Sequence, residues 1–150
     1  MSDDLRIETP EDEAALRDWR HVHNAVIPTA PLSLDEVRER VRRNHLEVVY
    51  RGGALVGCTT LRPPPPDDPA ATATVIARVL PAHRGRGVGA ALCARGVAQA
   101  RARGARTIET VVLASNADGL RFAEARGFVE FERYVLPGDT IPFVTLRLRD

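Results

Sequence analysis

Val79-Leu80-Pro81-Ala82-His83-Arg84-Gly85-Arg86-Gly87-Val88-Gly89-Ala90 places three glycines between the end of a strand and the start of a helix. A backbone bare of side chains approaches a ligand closely, and free N–H groups at a helix N-terminus, aided by the helix dipole, suit phosphate oxygens. Arg84 and Arg86 add formal positive charge, so a diphosphate is the natural guest. Taken alone, such a stretch also reads as a plain strand-to-helix turn with exposed arginines. A Walker A loop is excluded, because it needs a lysine and the chain has none. Gly85, Gly87 and Ala90 also satisfy the dinucleotide fingerprint G-x-G-x-x-A, with Glu109 roughly 20 residues farther on. That fingerprint follows its strand directly, however, whereas Pro81, Ala82, His83 and Arg84 intervene here, and too little chain remains for the βα units it normally opens.

Working outward, residues 72–80 alternate, with Ala73, Val75, Ala77 and Val79 on one side and Thr72, Thr74, Ile76 and Arg78 on the other, until Pro81 ends the strand. The alanine-rich segment 88–103 predicts a helix closed by Gly104. Beyond it come a strand at 107–112, a short helix at 116–126 stopped by Gly127, and strands at 128–135 and 143–148. Upstream, Arg51-Gly52-Gly53 separates two β-rich runs, 46–50 and 54–61, which predicts an antiparallel hairpin. The proline run 63–66 predicts an extended surface loop.

Ser33-Leu34-Asp35-Glu36 is a capping box for a helix with Leu34, Val37 and Val41 on one stripe and Arg38, Arg40, Arg42 and Arg43 on a solvated face. Thr9, Pro10 and Asp12 suit the cap, first position and acidic first turn of a helix whose apolar face carries Leu16, Trp19, His23 and Val26. His21 and His23 point to different sides, which fits solvent or core-edge roles better than a metal pair. With a short strand at 5–8, the order is β-α-α-β-β-β-α-β-α-β-β and no repeat is present. That is an α+β protein, a single domain over residues 1–150, with about four helices around a mixed, mostly antiparallel sheet.

The 150 residues suffice for a domain that buries about two thirds of its unfolded surface. A net charge of +1, with acids and bases interspersed, gives no general electrostatic case for nucleic acid or membrane partners. No stretch approaches the roughly 20 apolar residues of a membrane span, and the first residues are acidic, so a cytoplasmic location is expected. Cys58 and Cys93 lack any CxxC or Cys/His spacing and read as small buried thiols, with no metal expected. All 21 basic side chains counted as lysine or arginine are arginine, which reads as GC-rich, bacterial base composition.

The loop resembles the pyrophosphate motif of the GNAT N-acetyltransferase superfamily, R/Q-x-x-G-x-G/A, met by Arg84, Gly87 and Gly89. A second likeness follows the next strand, where Ser115-Asn116, Phe122 and Gly127-Phe128 resemble the family's S-N-x-x-A-x-x-L/F-Y-x-x-x-G-F segment. The order of elements resembles the family's over almost the whole chain. The resemblance implies a sheet splayed between its two central strands, 72–80 and 107–112, and an acyl group moving from acetyl-CoA to a primary amine by direct attack in a ternary complex. It implies that backbone amides of Gly85, Arg86, Gly87, Val88, Gly89 and Ala90, with Arg84 beside them, hold the CoA pyrophosphate. The main chain of Val79 and Leu80 would pair with the pantetheine arm, Asn116 would touch that arm, and Phe122 would pack beside it.

The pattern is departed from where it bears on the chemistry. Where many members carry a tyrosine that protonates the leaving thiolate, this chain has Ala123, which donates nothing. Tyr134 is the substitute candidate for the acid and Glu109 the candidate for the base. The departure also leaves open a non-catalytic acyl-CoA-binding or sensing module. By resemblance the first two helices and the loop 136–142 border the acceptor site; protein N-termini, polyamines, antibiotics and amino acids all fit what the sequence says. Strand 143–148 is expected at a sheet edge, where it could pair in a homodimer.

Overall fold

The structure, a computed structural model, describes residues 4–149; the outermost residues of the domain expected over 1–150 lie outside these. Its elements are β1 (Leu5–Glu8), α1 (Glu13–Val26), α2 (Leu34–Arg43), β2 (His45–Arg51), β3 (Ala54–Arg62), β4 (Thr72–Val79), α3 (Val88–Ala102), β5 (Thr107–Leu113), α4 (Ala117–Ala125), β6 (Phe128–Tyr134) and β7 (Phe143–Leu148). This is the order the periodicities predict. One seven-stranded sheet runs β1-β2-β3-β4-β5-β7-β6, antiparallel throughout except for the parallel pair β4–β5.

Helices cover both faces because the strands alternate. Trp19, Val22 and Val37 of α1 and α2 pack with Leu46 and Cys58, and the Trp19 indole donates to the Thr59 carbonyl at 3.0 Å. On the opposite face, Ala100 and partly buried Cys93 and Val97 of α3 pack with Val75 and Ile108, beside Leu120 and Ala123 of α4. Gly96 allows this approach: a Cβ there would lie 2.4 Å from Val75 Cγ1. Glu47 ties the same helix to the sheet, accepting from Arg95 at 3.1 and 2.8 Å and from Gln99 at 3.3 Å. Burial alone would raise the Glu47 carboxyl, yet the bonds from Arg95, His45 and Gln99 bring it down to about 2.

Two expectations are corrected. Asp12, not Thr9, caps α1, its carboxylate accepting the Ala15 N–H at 2.8 Å, so Pro10 precedes the helix and is buried instead. Strand 143–148 is no edge: β7 lies between β5 and β6, and the edges are β1 and β6, the latter with Val129 and Phe131 exposed. Alternation alone does not distinguish an inner strand from an outer one when a polar residue faces either water or a partner's side chain.

Candidate functional site

Gly85 and Gly87 have φ of 78° and 80°, in the left-handed region, and Gly87 caps α3 with no side chain of its own. Among the described residues, no N–H from 85 to 90 makes a hydrogen bond; the first to turn back is that of Ala91, to Gly87 O at 3.1 Å. The loop therefore presents an unbroken row of donors at a helix N-terminus. A Cβ at Gly85 or Gly87 would meet open space, so no other part of the described protein covers the loop on that side. Arg84 acts as a strut: its Nε donates to Val79 O at 2.9 Å while its N–H reaches Pro81 O at 3.3 Å.

The strand leading to this loop parts from its neighbour. β4 and β5 pair only at Thr72–Thr107, Ala73–Ile108 and Thr74–Glu109, although both strands continue. Leu80 donates to Val56 O on β3 at 2.8 Å, so on the alternate register the backbone groups of Ala77 and the N–H of Val79 face the gap, while the Val79 carbonyl is held by Arg84. Buried backbone groups need partners, and an extended guest lying in the gap would supply them as an added strand does.

A cavity of about 460 Å³ fills the gap on the α3/α4 face, lined by Val75, Ala77, Val79, Gly85, Gly87, Gly89, Ala90, Cys93, Asn116, Phe122 and Ala123. A second hollow, about 340 Å³, opens on the α1/α2 face between His23, Leu32, Glu36, Arg40, Arg62, Tyr134 and Leu136. Ile76, Arg78 and Val111 line both, so the two meet through the sheet where β4 and β5 diverge.

Residues 8–128 match the family model described as Acetyltransferase (GNAT) family. The chain belongs to that family. Its fold is shared with Naa50 of Arabidopsis thaliana, solved in complex with the bisubstrate analogue CoA-Ac-MVNAL, at 15% identity over 98% of this chain and 99% of that one, with a TM-score of 0.79. It is shared also with yncA of Salmonella typhimurium, solved with its cofactor acetyl-CoA, at 18% identity over 97% and 94% of the two chains and a TM-score of 0.74. An N-acetyltransferase of Staphylococcus aureus Mu50 matches at 20% identity over 96% and 97%, with a TM-score of 0.73. A comparison with curated protein sequences finds no significant match.

Within this GNAT fold the loop residues come together as expected: Val79, Arg84, Gly85, Gly87, Gly89, Ala90, Asn116 and Phe122 all line the α3-face cavity. The Asn116 carbonyl oxygen is spent on capping α4, accepting the Gly119 N–H at 3.0 Å. The Phe122 ring lies against Gly89, and Arg126 stacks over it at 4.9 Å. Arg86 is exposed outside the cavity, and the Val88 side chain turns inward to pack with Val49 and Leu92, leaving only its N–H in the row.

Three expected residues sit elsewhere. Leu80 is not available to an arm in the gap, because its N–H goes to Val56 and its carbonyl accepts from His83 at 2.9 Å. Glu109 stands at the last paired rung, held by Arg147 Nε at 2.5 Å, and lines neither hollow. Tyr134 lines the α1/α2-face hollow rather than the cavity beside Ala123, its ring stacked on Phe143 at 5.6 Å.

The second face carries His23, on the apolar side of α1 as expected, and Arg40, Arg62 and Arg78, which the sequence did not bring together. His23 is 4% exposed, stacked on Trp19 at 5.5 Å, with Nε2 at 3.2 Å from Ala30 O. Burial and then the Arg78 charge bring its imidazole down to about 4, so it is neutral at physiological pH. The signal that could have found the hollow was Arg78 itself, a charge alternating inward with Ile76 on a central strand. Cys93, by contrast, lines the first cavity with its thiol pushed up by burial, which leaves it protonated and a poor nucleophile.

Among the described residues, no group of three or more His, Cys, Asp or Glu is placed to hold a metal, and no helix is long and apolar enough to cross a membrane.

Proposed function

We propose that this protein transfers an acetyl or similar small acyl group from acyl-CoA to a primary amine by direct attack within a ternary complex. The observation that carries the reading is the parting of β4 from β5, which joins a cavity ending in bare N–H groups to a separate hollow on the opposite face. The neighbours solved with acetyl-CoA and with a bisubstrate CoA analogue support the choice of donor.

In this reading the N–H row of residues 85–90 holds the pyrophosphate, and Val79 and Ala77 hold the arm as a neighbouring strand would. The acceptor enters from the α1/α2 face, so its nitrogen meets the thioester carbonyl in the gap between Ile76 and Val111. The new C–N bond forms as the C–S bond breaks, giving an amide and free CoA. The nitrogen's surplus proton passes to water. Ala123 offers the departing sulfur no proton, but a thiol of pKa about 8.5 leaves as thiolate near neutral pH and takes its proton from solvent. Glu109, bound to Arg147, is assigned no role as base, and Tyr134 is assigned to the wall of the acceptor hollow. Positioning and main-chain electrostatics then supply the rate.

Ala123 also favours a second reading, a module that binds acyl-CoA without turnover. Thiol release from acetyl-CoA across a panel of amines separates the two. Amine-dependent release with intersecting initial-rate patterns supports direct transfer; tight acetyl-CoA binding with no release from any amine supports the module. For self-association we assign the β6 edge with its exposed Val129 and Phe131, and sedimentation of the Phe131→Glu variant tests that assignment.

A further inference from the structure

Three guanidinium groups converge on the α1/α2-face hollow from three elements: Arg40 from α2, Arg62 from the end of β3 and Arg78 from β4. Their mutual repulsion shows in their electrostatics. Burial and then the charge of Arg62 depress Arg40, and Arg78 is depressed by burial and by both of the others. Among the described residues none of the three has a carboxylate within salt-bridge distance, whereas Arg38, Arg42, Arg43, Arg95 and Arg147 each have one.

Glu36 is the one acid in the lining, and it is already engaged, accepting the Ser33 N–H at 2.8 Å in the capping box of α2. Beside Arg78 stand the buried Cys58 thiol, which burial pushes up to about 12, and the neutral His23 imidazole, neither of which brings negative charge. Unpaired like charges around a cavity repel one another and lose hydration, a cost that an anionic guest offsets.

We propose that the amine acceptor carries an oxyanion, a carboxylate or a phosphonate, which Arg40, Arg62 and Arg78 clasp while its amino group points into the passage between Ile76 and Val111. This deepens the acyltransferase reading and rests on it for the amine. The chemistry agrees at both ends of such a molecule. Guanidinium forks match planar or tetrahedral oxyanions with paired hydrogen bonds. The same positive field disfavours a protonated amine, so it lowers the acceptor's pKa toward the free base that attacks, at a site whose one carboxylate, Glu36, is engaged in the α2 cap. It also turns away polycations. Polyamines, and those antibiotics that are polycations, would bring several ammonium groups to a wall of three cations. The hollow's size, about 340 Å³, suits a molecule of amino-acid dimensions.

The test has two arms. In the first, thiol release from acetyl-CoA is compared for α-amino acids, their carboxamides, the matching 1-aminoalkylphosphonates and spermidine. We expect an amino acid or an aminophosphonate to be acetylated with kcat/KM at least about 100-fold above its neutral counterpart, the two anions being distinguished by which is preferred. Arg62→Gln should raise KM for that acceptor at least about tenfold while the Kd for CoA, which also reports intact folding, stays within about twofold. Carboxamides or spermidine acetylated as well as the anions would overturn the proposal.

In the second arm, inorganic phosphate is titrated calorimetrically into CoA-loaded protein, whose pyrophosphate loop is then occupied. We expect weak binding that Arg62→Gln and Arg40→Gln each diminish, and no heat from wild-type protein would overturn the proposal even if no amine is acetylated. If CoA itself does not bind, the acyltransferase reading falls separately, and the same titration on free Gly87→Glu protein still decides the anion site.

Discussion

The two hollows meet through one gap but are built from different material. The one on the α3/α4 face has apolar walls, among them Val75, Cys93 and Phe122, and draws its polar groups from main chain, the row of N–H groups at 85–90 and the edge of β4 at Ala77 and Val79, while the one on the α1/α2 face is a ring of side chains from four or more elements. The difference teaches where specificity in such a fold can vary. A main-chain cradle needs glycine and a helix start, and it tolerates little else. A side-chain ring keeps its backbone whatever the side chains are, so the same scaffold admits different acceptors behind a constant donor.

The largest effect expected comes from breaking the main-chain side alone. Gly87 and Gly104 flank the same helix, with φ of 80° and 89° and open space around a would-be Cβ at each. Glu at either position costs about 1–2 kcal/mol of backbone strain. Only Gly87→Glu places a carboxylate in the row of donors, so it should lose on the order of 1,000-fold in CoA affinity, about 4 kcal/mol. Gly104→Glu should bind CoA like wild type. Equal losses in calorimetry would mean that helix strain, and not the cradle, governs binding.

The two faces should also come apart at different pH. His23, on the α1/α2 face, stands at about 4 when folded and at the ordinary imidazole value of 6.5 when unfolded. Between these values the unfolded chain binds more protons, so stability rises with pH across that window and is lost as pH falls from 6.5 to 4, by about 3 kcal/mol. Glu47, on the α3 face, stands at about 2 against 4.5, so its contribution is present above pH 4.5 and is lost only as pH falls toward 2. Denaturant midpoints measured against pH should therefore show an upper step that His23→Phe removes and a lower step that it leaves. Of the charged groups acting on His23, Arg78 and Arg40 stay protonated across this window and Glu36 is lowered from 4.5, so an upper step surviving in His23→Phe would overturn the assignment to His23.

Packing gives a smaller effect. Gly96→Ala sets a methyl 2.4 Å from Val75 Cγ1, which must move or push α3 outward. Overpacking of this kind costs about 2 kcal/mol. Because Val75 lines the donor cavity, CoA affinity should weaken several-fold while phosphate binding in the acceptor hollow is unchanged. A variant as stable as wild type would show that α3 is free to slide on β4.

What could be read from the sequence divides along the same line. The order of all eleven strands and helices follows from their periods, and the cradle follows from contiguous residues, Arg84, Gly85, Gly87 and Gly89, whose backbone needs are local. Of the acceptor hollow only Arg78 carried a signal, because Arg40, Arg62 and Arg78 are 22 and 16 positions apart (62 − 40 and 78 − 62) and meet only through strand register. Arg40 in particular sits among Arg38, Arg42 and Arg43 on what reads as a solvated helix face. Nothing local separates it from them. The position of β7 within the sheet is a matter of long-range pairing for the same reason.

The smallest effect expected concerns Glu109, which its place on a central strand recommends as a base. Its carboxylate is 15% exposed and bound by Arg147, which itself lies over the Phe131 ring at 3.5 Å. A base must reach the proton it removes, and Glu109 lines neither hollow. Glu109→Gln keeps the side-chain shape and one acceptor oxygen for Arg147, which is 43% exposed and remains solvated. Stability should fall by about 1 kcal/mol at most, and kcat should stay within about threefold of wild type with an unshifted pH profile. A loss of two orders of magnitude in kcat, with CoA affinity intact, would instead return the carboxylate to the chemistry and require Arg147 to release it when the acceptor binds.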